Sequence, residues 1–258
     1  MLSLDAPLIA ALWQSLFAHA FGAALGWPYT LLLYAAVWLI YSADRWLDGR
    51  SLGADARTRR HRFYARHYRT VFWVWWLVFA CTFAASILLL TWAELSGGAA
   101  LGALLLGYLA QRHRGDQQTQ PKEVQIAVIF ALGVVFLPLF SGVHLWLLVG
   151  GGLFGVLIFL NCALIARWEG DLDRESAPFA VRAPKIAARL GPLTLGFALF
   201  CSVGGIVFEP VRLPFAALNL SAFLLYGLEH LAPRLGPAAR RVLADAALLT
   251  PLLWLLYG

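Results

Sequence analysis

Apolar residues run through this chain in long blocks separated by short polar stretches, and a block of about twenty is what a helix needs to cross a hydrocarbon layer. Nine such blocks fall near 6–26, 28–48, 70–93, 97–111, 123–140, 143–168, 190–208, 211–231 and 239–257. The fourth is short and rich in glycine, with Gly97, Gly98, Gly102 and Gly107. Pro28 and Pro210 stand where helices begin, a position that tolerates a residue without an amide hydrogen. The pattern predicts an all-α polytopic membrane protein of nine transmembrane helices. The polar stretches are too small to fold alone, so residues 1–258 form a single transmembrane domain without a soluble appendage.

Composition agrees with the pattern. Of 258 residues 61% are hydrophobic and only 13% charged, and the mean hydropathy of +0.72 lies well outside the range of soluble domains. The first block is read as a membrane helix and not as a signal peptide, because no Lys or Arg precedes it. Cys81, Cys162 and Cys201 all lie within apolar runs without pairing or metal-site spacing, and are read as small buried residues.

The net charge of +6 would suggest nucleic acid in a soluble protein, but its distribution gives another origin. Eight arginines fall between residues 45 and 69, three basic residues between 112 and 122, five between 167 and 189 and three between 234 and 241. With nine spans, 19 of the 20 basic residues lie on one side and only Arg212 on the other. The positive-inside rule makes that side cytoplasmic, with the N-terminus inside, and removes the case for a nucleic-acid partner.

The same side receives the acids. Asp44 and Asp48 close the second block four residues apart, on one helix face about 6 Å apart along the axis, and two such carboxylates can share a divalent cation. Glu169, Asp171 and Asp173 end the sixth block, and Asn161, Ile165 and Glu169 follow one face at four-residue steps, continued by Asp173 if the helix runs on. Arg59, Arg62, Arg66 and Arg69 make a stripe suited to phosphate, or to anionic lipid headgroups. Lys122 stands at the cytoplasmic mouth of the fifth helix. Carboxylates facing cations in one cavity suit a ligand that brings its own Mg²⁺, which binds through one or two carboxylates plus substrate phosphates. Among 11 Trp, 17 Phe and 8 Tyr, most serve as interfacial belts; Tyr41, one turn before Arg45, is placed to line an isoprenoid pocket and face a cation. His61 and His67 are about 240° apart around a helix and make poor partners for one metal. Gly151 and Gly155 have a close-packing spacing. His19, His144, His230, Glu229 and Asp245 share no spacing and receive no role.

These features resemble the UbiA-type superfamily of intramembrane prenyltransferases over nearly the whole chain. That family has nine helices and two Asp-rich motifs, on the second and sixth, around a Mg²⁺-diphosphate site. Asp44 and Asp48 match the last two acids of its Asn-Asp-x-x-Asp-x-x-x-Asp motif, with Ile40 and Tyr41 in place of the leading pair. Asn161, Ile165 and Glu169 lie along its second motif, Asp-x-x-x-Asp-x-x-x-Asp, with Asp173 one step beyond, and Lys122 is similar to its diphosphate-binding basic residue. The resemblance implies a Mg²⁺-dependent transferase acting on an isoprenyl diphosphate and a lipophilic acceptor in the membrane, with no obligate protein partner evident. Asp44 and Asp48 would hold one Mg²⁺ and Glu169 and Asp173, oriented by Asn161, a second. Lys122 with Arg45, Arg59, Arg60 and Arg66 would neutralise the diphosphate, and Tyr41 would shield the cation. A terpene cyclase of the same superfamily, needing no acceptor, and a non-catalytic binder or transporter of lipid-linked phosphate are the alternatives.

Overall fold

The computed structural model describes residues 4–52, 67–113, 122–142, 145–170 and 183–256, with the backbone alone at 44–52, 68, 111–113, 169–170 and 210. Every regular element among them is helical. In chain order these are α1 (Asp5–Ala20), α2 (Trp27–Leu52), α3 (Tyr68–Leu89), α4 (Trp92–His113), α5 (Lys122–Phe140), α6 (Leu145–Gly170), α7 (Pro184–Ala187), α8 (Leu190–Val207), α9 (Arg212–Leu231), α10 (Pro237–Ala246) and α11 (Pro251–Leu255), with single 3₁₀ turns before and after α9. Six of them, α3 to α6, α8 and α9, are long and apolar enough to cross a membrane.

Helix ends account for the departures from the sequence pattern. The first block reaches residue 26, yet α1 stops at Ala20. Gly22 takes a φ of 66°, and the amides of Gly22 and Ala23 turn back to the carbonyls of His19 and Ala18 at 3.3 and 2.8 Å. That left-handed closure is one glycine reaches without steric cost. The fourth helix starts earlier than its apolar run, because Thr91 and Glu94 cap it reciprocally. Glu94 accepts from the Thr91 amide at 2.7 Å and from its hydroxyl at 2.8 Å.

The ninth block is not one helix but two. Pro251 has no amide hydrogen to offer residue 247 and crowds the preceding turn, so the chain breaks before it. Polar groups freed in a buried break must find other partners. Trp13 Nε1 donates to Leu248 O at 2.9 Å, Thr250 Oγ1 donates to Ala217 O at 3.0 Å, and the Ser221 and Thr250 hydroxyls are 2.6 Å apart. The break is thereby pinned to α1 and α9.

Of the six long apolar helices α6 has the largest buried share: it packs against α5, α8, α9 and α10, while α1 lies against α2, α5, α9 and α11. Trp13, Phe17 and Phe154 are fully buried where α1 meets α6, with the Trp13 and Phe154 rings 4.6 Å apart. Gly151 and Gly155 bring α5 close, as their spacing predicts: a Cβ at Gly151 would stand 2.6 Å from Val135 Cγ1, and one at Gly155 3.3 Å from Ala131 Cβ. By contrast α3 and α4 form the flanks, with none of their spanning residues buried. Trp73, Trp76, Leu88 and Trp92 project from them as an apolar exterior suited to lipid. Cys81 belongs to that exterior, and so is exposed and not the buried residue its apolar run suggests; Cys201 is buried and Cys162 half-buried.

Candidate functional site

α2 runs without interruption through residues 44, 45 and 48, so the four-residue step between Asp44 and Asp48 is a true helical turn. Just before it, Ser42 is buried and satisfied within its own helix, donating to Trp38 O at 2.6 Å. Trp75 Nε1 of α3 donates to Leu39 O at 2.9 Å and ties the two helices at this level. Tyr41 packs, partly buried, against the core. The side chains of Asp44, Arg45 and Asp48 lie outside the described residues, as do Arg59, Arg60 and Arg66 altogether.

α6 is likewise unbroken to Gly170 and carries Asn161, Ile165 and Glu169 along one face. Asn161 is 4% exposed and its Oδ1 has no hydrogen-bond partner. The Glu169 side chain and all of Asp173 lie outside the described residues.

Two registers relate these helices. Leu33 of α2 lies 3.9 Å from where a Cβ on Gly133 of α5 would stand. Residue 44 is eleven positions beyond Leu33 and Lys122 eleven before Gly133, so each is about 16 Å from that contact along antiparallel helices. Along α5 and α6 the Ala131–Gly155 contact, carried two turns onward, brings Cys162 to the first turn of α5. The Phe130–Phe154 ring contact, with centroids 6.0 Å apart, gives the same pairing of the two helices. Residue 44, Lys122, Glu123 and Asn161 therefore share one end and one level of the bundle.

Lys122 is half-buried at the start of α5. Glu123 is 2% exposed and its Oε1 has no partner. Sequence reasoning passed over it, since an acid in the first turn of a helix is ordinarily explained by the macrodipole. It also passed over Gln14, fully buried with neither amide atom partnered, and over Glu229. The latter takes a hydrogen-bonded ion pair from Arg167, whose Nη1 also donates to Ala187 O at 3.1 Å. No periodicity links Arg167 to Glu229, which are 62 residues apart. Beside this pair, Ile165, Trp168, Pro237, Arg240 and Arg241 line a shallow cleft between α6 and α10.

Among the described residues no three of His, Cys, Asp and Glu gather as a metal site. The described polar atoms lacking partners at this end of the bundle include two oxygens at the level of Lys122, Asn161 Oδ1 and Glu123 Oε1, with Glu229 Oε2 and Trp168 Nε1 nearer the helix ends. Hard oxygen donors of that kind fit Mg²⁺ and suit softer metals poorly. No protein-family model matches the chain, and no curated protein and no solved structure matches it.

Proposed function

We propose that this membrane protein is a divergent UbiA-type prenyltransferase of nine membrane-crossing segments, with its N-terminus and its site on the cytoplasmic side. Three of those segments are α1, α2 and the broken pair α10–α11, beside the six long apolar helices. The observation that carries the proposal is the delivery of residue 44 and Asn161, by two unbroken helices, to the level at which α5 opens with Lys122.

In this reaction the allylic C–O bond of an isoprenyl diphosphate breaks and the electron pair leaves with the diphosphate. An acceptor carbon then captures the allylic cation and gives up a proton. Mg²⁺, held by Asp44 and Asp48 and by Glu169 and Asp173, would lower the cost of the departing negative charge. Asn161, in this arrangement, orients the second pair. Lys122, joined by Arg45, Arg59, Arg60 and Arg66, stabilises the leaving group, an effect largest where water is excluded. Tyr41 keeps water from the cation.

The test is release of inorganic pyrophosphate from a panel of prenyl diphosphates by purified protein with Mg²⁺, with and without lipophilic acceptors. Metal-dependent release that disappears in Asp44→Asn and in Glu169→Gln is the expected result. Release with cyclised hydrocarbon and no acceptor would make the protein a terpene cyclase. Binding without release across the acceptor panel would overturn catalysis in favour of a lipid-phosphate binder or transporter.

A further inference from the structure

We infer that Glu123 of α5, a helix on which neither Asp-rich stretch lies, joins Asn161 of α6 as an oxygen pair that binds a divalent cation between the two helices. The inference rests on the prenyltransferase proposal for its ligand and on the geometry for its residues. Glu123 is 2% and Asn161 4% exposed, and each holds a buried oxygen without a hydrogen-bond partner among the described residues. An acid that only complements the helix dipole gains nothing from such burial, because water at the rim would solvate it at no cost. Lys122 does not relieve it: sequence neighbours on a helix point about 100° apart, and the ion pair described at this end of the bundle is Arg167 with Glu229.

Both orphan atoms are acceptors, so the species that satisfies them together is a donor or a cation. They stand on adjacent antiparallel helices, each seven residues from the Phe130–Phe154 ring contact, whose centroids are 6.0 Å apart. Residue 44 arrives at the same level from α2. The first acidic stretch lacks two leading polar positions, where Ile40 and Tyr41 stand. Glu123 would supply a carboxylate to that level from a third helix.

Mn²⁺ reports on this directly, since it shares the oxygen preference of Mg²⁺ and its free form gives an electron paramagnetic resonance signal. Purified full-length protein in detergent is titrated with Mn²⁺ alone, and again with a non-ionising prenyl thiolodiphosphate. Glu123→Gln is expected to weaken Mn²⁺ by at least about tenfold, the loss that even outer-sphere partners produce, while thermal unfolding without metal is unchanged or improved. Asn161→Asp, which replaces the amide nitrogen by a second carboxylate oxygen, is expected to tighten Mn²⁺. Unaltered Mn²⁺ affinity in both variants, or no Mn²⁺ binding by the wild type under either condition, overturns the inference. Pyrophosphate release, measured in parallel, decides the prenyltransferase proposal separately: release with Glu123→Gln binding Mn²⁺ normally would refute the ligand role alone.

Discussion

Arg167 and Glu229 show how a single polar contact organises this end of the bundle. The guanidinium spans two partners, the Glu229 carboxylate on α9 and the Ala187 carbonyl at the end of α7. It thus ties the last turns of α6 to the chain re-entering at α8, where Gly191 leaves room for Glu229: a Cβ there would stand 3.6 Å from Oε1. The two side chains are 21% and 16% exposed, dry enough that removing one partner strands the other. Glu229→Ala is expected to cost about 3 kcal/mol, the lower end for a buried pair broken on one side, read as a fall in thermal unfolding temperature in detergent. Glu229→Gln keeps an acceptor for Arg167 and is expected to cost less. An equal loss in the two variants would show that the charge, and not the hydrogen bond, supplies the tie.

At the scale of the element, two of the close helix approaches depend on glycine. Gly151 admits Val135, and Gly204 of α8 admits the ring of Phe215 from α9. Val is stiff at χ1 and Phe215 is 2% exposed, so neither can retreat. Gly151→Ala and Gly204→Ala are each expected to destabilise by about 1–3 kcal/mol through overpacking. Gly102 on α4 has nothing within 4 Å of its Cβ position. There Gly102→Ala is expected to be neutral or to stabilise by up to about 1 kcal/mol, since alanine favours the helix. All three are compared by thermal unfolding, and a destabilising Gly102→Ala would reveal a neighbour packed on that flank. Thr91→Ala is expected to cost about 1 kcal/mol by opening the reciprocal cap of α4.

For the whole molecule, the decisive quantity is which face of the bundle meets the cytoplasm. The proposed orientation places Ala238, exposed at the start of α10, inside and Ser141, exposed after α5, outside. A membrane-impermeant maleimide added to intact cells is expected to label Ser141→Cys and spare Ala238→Cys, with the opposite result in inverted vesicles. The wild type supplies the background, because Cys81, Cys162 and Cys201 all lie within apolar spans that such a reagent does not enter. Labelling of Ala238→Cys from outside would invert the topology and with it the side of the site.

The sequence by itself determined the helical class, the placement of the long apolar helices and the packing role of Gly151 and Gly155. Each follows from one-dimensional pattern: run length against bilayer thickness, and side-chain size at helical spacing. It also marked Lys122 and Asn161, because a charge or an amide stands out in an apolar run. Tertiary structure decided what pattern cannot encode. The break at Pro251 persists because Thr250 and Leu248 find partners on α9 and α1, far away in sequence. Cys81 faces outward because none of the spanning residues of α3 is buried among the described residues. Glu123 emerged as a buried acid whose Oε1 has no partner among the described residues only in the packed bundle, since burial is a property of neighbours and not of the residue. The union of Arg167 with Glu229 had no sequence signal at all, for spatial proximity between helices is set by the packing of the entire bundle.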